Sequence, residues 1–179
     1  MTDFTLHTLE SAPEASKPLL EDSIKVFGMI PNLHAVMAES PNTLEAYKQL
    51  HNHVLTSSLS AEEKTVVWQS INVEHQCHYC IPAHSMIAKM TGVDSDINQA
   101  LRDRTPLPTE KLEVLRNTTL ALLKDRGVVD EAILERFYAV GYGQRQLLEV
   151  LLTLSQKVMS NYINHLANTP VDEAFQPFV

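Results

Sequence analysis

Residues 59–92 read LSAEEKTVVWQSINVEHQCHYCIPAHSMIAKMTG, and the punctuation of this stretch decides the fold. Ser60-x-x-Glu63 is a capping-box pattern, in which a hydroxyl and a carboxylate three residues apart satisfy each other's backbone N–H groups at a helix start. Val66, Val67, Ile71 and Val73 carry that helix forward. Pro82 then fixes where the next helix begins. A proline deep in a helix loses a hydrogen bond and clashes with the carbonyl four residues back, so it belongs in the first turn. The second helix therefore starts close to Cys80 and stops at Gly92. The stretch is two helices joined at the cysteines.

The flanking sequence follows the same grammar. Ser40-Pro41 reads as N-cap and first position of a helix through about Leu55. Asp94 or Ser95 caps a short helix to about Arg102, a longer one runs from Thr109 to Arg126 and stops at Gly127, and Asp130 caps another that ends at Gly141. From Gln144 to Ala167, Leu147, Leu151, Leu154, Val158 and Tyr162 form one stripe, with Leu148, Leu152, Met159, Ile163 and Leu166 beside it. A helix apolar over so much of its girth is expected between layers or in an interface between copies. Glu149, Gln156 and Lys157 exclude a membrane span. Strand signals are weak and no repeat is visible. The expected fold is all-α, a compact multi-helix bundle forming one domain over residues 1–179, with its core at about 40–126.

The 179 residues are enough to bury a core without staples. With 44% hydrophobic and 20% charged residues the composition is that of an ordinary globular protein. A net charge of −8 and the lack of a Lys/Arg cluster argue against nucleic acid or an anionic membrane as partner. The first twenty residues carry acids and two prolines and no apolar h-region, so a secretory signal is not expected and the cytosol is the default setting. Thiols are held reduced there, and a Cys-x-x-Cys pair is then metal-binding or catalytic more often than a structural disulfide.

Both cysteines of the chain lie at the amino end of the second helix, where the macrodipole and unpaired N–H groups favour thiolate. Half-ionising a thiol at neutral pH requires a drop of about 1.5 pKa units, or roughly 2 kcal/mol. A helix end supplies about 0.3–1 kcal/mol, so a second group is needed. His84, four residues after Cys80, leans back toward it along the helix. Cys80 is the nucleophile candidate and Cys77 its resolving partner. Two other readings compete. The cysteines can be small buried side chains, or His75, Cys77, Cys80 and His84 can hold zinc, although structural zinc sites usually draw ligands from two separate segments. His51 and His53 read as facing water, His78 as pointing to solvent, and His165 as capping or packing near the end of the last helix. No cofactor is expected.

Residues 74–84 resemble the Cys-x-x-Cys-x-x-x-His signature of the alkylhydroperoxidase D/carboxymuconolactone decarboxylase superfamily. IPNLHAVMAESPNTLEAY before it, LSAEEKTVVWQSINVEHQC leading into it and VGYGQRQLLEVLLTLSQKVMSNYINHLANTPVDEAF after it are similar to the peroxidase-related branch. The resemblance implies an all-helical fold assembled as trimers or hexamers. It also implies reduction of a hydroperoxide through a Cys77–Cys80 disulfide cycle fed by a thiol reductant, with Cys80 attacking the peroxide and His84 in the proton relay. Two positions depart from the family pattern: Thr65 stands where the relay glutamate is expected, and Tyr79 replaces a histidine before the second cysteine. Glu74 is the candidate replacement for the relay glutamate, and Glu63 is structural. A non-enzymatic redox sensor or zinc module, and a decarboxylase acting on a small acidic lactone, are the alternatives.

Overall fold

The computed structural model describes residues 4–179. Over these residues the chain forms nine α-helices and two 3-10 turns, with no strand. α1 (Lys17–Phe27) and α2 (Asn32–Met37) follow a 3-10 turn at Glu14–Ser16. Then come α3 (Pro41–Leu55), α4 (Ala61–Glu74), α5 (Cys80–Met90), α6 (Ser95–Asp103) and α7 (Glu110–Lys124). α8 (Glu131–Ala139), α9 (Gln144–Ala167) and a 3-10 turn at Glu173–Phe178 complete the chain. The all-α expectation holds, and α3 to α9 fall where caps and stops placed them. α7 ends two residues early because Arg126 and Gly127 both take left-handed φ, +54° and +86°.

The capping box forms as read. Ser60 Oγ accepts the Glu63 N–H at 3.1 Å, and the Glu63 carboxylate accepts the Ser60 N–H at 2.8 Å. Glu63 also takes the Tyr142 hydroxyl at 2.9 Å and the Lys111 ammonium at 3.0 Å, which ties the start of α4 to the α8–α9 corner and to α7. α4 is the central helix and packs against α5, α6, α7 and α9. Almost every side chain from Glu63 to Asn72 is buried.

Two apolar clusters flank it. One joins α4 to α6, α7, α8 and the first half of α9 around Val66, Ile71, Leu115, Phe137 and Val150. The other joins α1, α2, α3, α5 and the closing turn around Leu20, Leu33, Met37, Leu44 and Phe175, and it contains both cysteines. Each fully buried side chain of this size contributes about 1.5–3 kcal/mol.

α9 reverses part of the sequence expectation. Its buried face is Val150, Thr153, Gln156, Lys157, Ser160, Asn161 and Asn164, a mostly polar stripe at helical spacing. Leu148, Leu151, Tyr162 and Leu166 are exposed. The polar residues are inside because they meet polar partners there: Gln156 bonds Trp68 and His51, Lys157 meets His84, Asn161 meets Asn72 and His75, and Asn164 reaches Cys80.

Candidate active site

The corner between α4 and α5 places the two sulfurs. Gln76 takes a left-handed φ of +52°, and the Cys77 N–H reaches back to the Asn72 carbonyl at 3.0 Å. This is a Schellman-type closure of α4. Cys77 then opens the next helix: its carbonyl accepts the Ile81 N–H at 3.1 Å and its Sγ accepts the Cys80 N–H at 3.3 Å. Cys77 thus does with sulfur what an N-cap serine does with oxygen. Cys80 begins α5, as Pro82 required, and both thiols are free and buried.

α9 forms the wall opposite Cys80. The Asn164 carboxamide donates to Cys80 Sγ at 3.2 Å, and Ser160 Oγ lies 3.9 Å from it. Burial pushes the Cys80 thiol up. The hydrogen bond with Cys77, the charge of Lys157, and hydrogen bonds from Ser160 and Asn161 outweigh burial and hold it well below the usual thiol range. Cys77 moves the other way, raised by its hydrogen bond to Cys80 and by burial. The two thiols have opposite dispositions.

His84 stands differently from the expected arrangement. Its Nε2 pairs with Lys157 Nζ at 2.9 Å, its ring packs on Trp68 at 4.7 Å between centroids, and no hydrogen bond joins it to Cys80. Burial first, and the Lys157 charge second, keep its pKa well below that of a free imidazole, so His84 is neutral. The cation beside Cys80 is Lys157, fully buried on α9. Glu74 is not brought to the sulfurs: its carboxylate pairs with Lys124 at 3.2 Å and Arg104 at 3.5 Å. Thr65 donates its hydroxyl to the Ala61 carbonyl of its own helix at 2.9 Å. Tyr79 receives the Leu33 N–H at 3.3 Å and donates to Asp172, and Phe175 meets its ring edge-on at 5.7 Å. The segment after α9 is thereby strapped over the site.

A cavity of about 240 Å³ opens at Cys80. Phe27, Met29, Met86 and Phe175 give it apolar walls, while His34, Tyr47, His51 and His84 line it with rings. It has room for one substituted ring or a short chain, since a cavity of about 150 Å³ suffices for benzene. His51 does not face water as its sequence position suggested: its Nδ1 accepts from the Gln156 carboxamide at 2.9 Å, and burial lowers its pKa to about 4. His34, against Ser23 Oγ at 2.9 Å, is lowered to about 3, chiefly by burial. A larger groove of about 870 Å³ runs beside Arg102 and Phe178, but neither cysteine lines it.

His75, one of the zinc-ligand candidates, bonds Asn161 at 2.9 Å. Among the described residues no three His, Cys, Asp or Glu side chains are grouped so that they could hold a metal ion. His78 reaches the Thr169 carbonyl at 2.9 Å. The site residues that sequence reading missed are His34, His51 and the stripe of Gln156, Lys157, Ser160, Asn161 and Asn164. The signal for the stripe was present: polar residues recur every three or four positions along a helix otherwise rich in leucine.

This is the all-α fold of alkylhydroperoxidase D-like proteins. An alkylhydroperoxidase AhpD core, an uncharacterized peroxidase-related protein from Ralstonia eutropha JMP134, superposes with a TM-score of 0.84 at 16% identity, over 98% of this chain and 96% of that one. An uncharacterized peroxidase-related protein from Silicibacter sp. TM1040 gives 0.79 at 18% identity, over 98% and 96%. The debrominase Bmp8, in complex with 2,3,4-tribromopyrrole, gives 0.82 at 16% identity, over 99% and 96%. At these identities the likeness is one of fold. No family model and no curated protein matches the chain.

Proposed function

We propose that the protein is a thiol peroxidase that reduces hydroperoxides through a Cys77–Cys80 cycle. The observation that carries this reading is a pair of adjacent buried thiols with opposed dispositions, of which Cys80 lines an apolar cavity. The Cys80 thiolate attacks the terminal peroxide oxygen; an S–O bond forms, the O–O bond breaks, and the alkoxide leaves and takes up a proton. Cys77 then attacks the sulfur of the Cys80 sulfenic acid. An S–S bond forms, and the hydroxyl departs with the Cys77 proton as water. A thiol reductant returns two electrons by disulfide exchange, a cycle suited to a reducing cytosol.

Organic hydroperoxide added to the reduced protein should convert two thiols to one intramolecular disulfide. Cys77→Ser should stop at a trappable sulfenic acid on Cys80, and Cys80→Ser should leave Cys77 unreacted. Faster oxidation at Cys77, or no oxidation at either, sinks the reading. The exposed apolar side of α9 supports self-association, as a trimer or hexamer, as part of this proposal.

A second reading has a specific support, the ring-lined cavity together with the fold shared with a debrominase. The same thiolate can take a halogen from an electron-rich ring while the ring carbon accepts a proton, and Cys77 then displaces halide to give the disulfide. Release of halide from a halopyrrole, with no peroxide consumption, would favour it.

A further inference from the structure

We propose that Lys157 is the positioning residue of this site: it holds His84 in the tautomer protonated on Nδ1 and supplies the fixed positive charge facing Cys80. A lysine ammonium has three donors and no acceptor, so at 2.9 Å His84 Nε2 must accept, and the ring hydrogen of a neutral imidazole must sit on Nδ1. His84 Nδ1 is buried and has no hydrogen-bond partner in the protein. An unpaired buried donor is destabilising, and an oxygen bound at Cys80 would satisfy it.

Charge balance gives an independent argument. Lys157 is fully buried and takes part in no ion pair among the described residues. A buried ammonium needs a compensating anion. The groups that face it or line the same cavity are Tyr47 and His51 of α3, His34 of α2, Tyr79 and Cys77 at the corner, and Cys80 and His84 of α5. The histidines are neutral and the two tyrosines are held protonated by burial. Asp172 is committed to Tyr79 and the Asn32 N–H. The Cys80 thiolate is left as the counter-charge. The chain lacks a relay glutamate at Thr65, and an ammonium on the histidine reverses the polarity a carboxylate would impose: His84 is a proton donor, not a base.

The step then balances, resting on the peroxidase reading for the identity of the acceptor. The S–O bond forms as the O–O bond breaks. The alkoxide takes the Nδ1 proton of His84, and Lys157 passes a proton to Nε2. Thiolate and ammonium become sulfenic acid and neutral amine, and no net charge is created in the buried site.

Two measurements need no peroxide. Nitrogen-15 spectra of histidine-labelled, reduced protein should show His84 protonated on Nδ1 and bare on Nε2; the opposite tautomer overturns the proposal even if no variant folds. Alkylation of Cys80 by iodoacetamide across pH should fall at least tenfold at neutral pH in Lys157→Met and recover at alkaline pH, while Lys157→Arg retains most of the rate. An unchanged pH profile in Lys157→Met, or a loss equal at every pH, overturns it as well. With both results as expected, failure to consume peroxide counts against the peroxidase reading alone.

Discussion

Cys80 owes its disposition to a few hydrogen bonds that single substitutions can remove. Asn164 donates to its sulfur at 3.2 Å, and hydrogen bonds to charged groups are worth about 1.5–3 kcal/mol. Asn164→Leu should therefore slow neutral-pH alkylation of Cys80 by about tenfold or more, because 1.36 kcal/mol corresponds to one pKa unit. The deficit should vanish once the solution ionises the thiol unaided; a deficit persisting at alkaline pH would mean that Asn164 acts through packing. At this scale the sequence was legible for Cys77 and Cys80, because Pro82 fixes the helix start in one dimension. It was not legible for the partner of His84. Lys157 lies 73 residues away in sequence, and no local rule brings it there. Glu74 illustrates the converse: it is close to Cys77 in sequence, yet its place at the end of α4 turns the carboxylate toward Arg104 and Lys124.

Among the elements, caps and stops were readable for α3 to α9 because each signal is local. The polar inward face of α9 is not legible from its leucines, since hydrophobicity alone does not say which side of a helix finds polar partners; the exposed Leu148, Leu151 and Leu166 are the part of its apolar surface that the single chain leaves uncovered. The closing strap gave no reading, because its order comes from distant contacts. Asp172 accepts the Asn32 N–H at 3.1 Å and the Tyr79 hydroxyl, which itself accepts the Leu33 N–H. Tyr79→Phe removes the donor to Asp172 and leaves the Leu33 N–H unpaired. That should cost about 1–3 kcal/mol, or roughly 3–9 °C in melting temperature for a chain of this size. A melting temperature within a degree of the parent protein would show that the strap is held by its other contacts, Asp172 with the Asn32 N–H and Phe175 against the ring, and not by the Tyr79 hydroxyl.

For the whole molecule, the buried imidazoles set an acid limit. His34 and His51 are lowered to about 3 and about 4, and His84 well below 6.5, all chiefly by burial. The unfolded chain takes up protons near pH 6.5 that the folded chain refuses, so stability is full above that pH and falls as pH drops toward 4. Each such group costs about 1.4 kcal/mol per pH unit across this window. Glu63, lowered by its Ser60, Lys111 and Tyr142 hydrogen bonds against the pull of burial, adds a further loss only below its ordinary value of 4.5. Melting curves at stepped pH should show the decline beginning near 6.5, and His34→Gln should flatten it. A decline beginning only near 4.5 would assign the limit to carboxylates. On the outer surface, Leu148 and Leu166 are 65% and 73% exposed with Tyr162 between them. Leu166→Lys should shift sedimentation toward the single chain, and an unchanged profile would place any self-association elsewhere. No helix among the described residues is long and apolar enough to cross a membrane.

Cys77 Sγ holds the Cys80 N–H at 3.3 Å, so the sulfur that would close a disulfide is also the latch on the first turn of α5. If forming the bond draws that sulfur off the amide, the N–H is freed and exchanges with solvent once the corner opens. Oxidation would thus register as a change in local breathing: amides of residues 77–81 should exchange faster in the disulfide form, while those of α4 keep their protection. Exchange mapping of the two redox forms reads this directly, and a partner able to sense a loosened helix end would distinguish them without reaching the buried sulfurs.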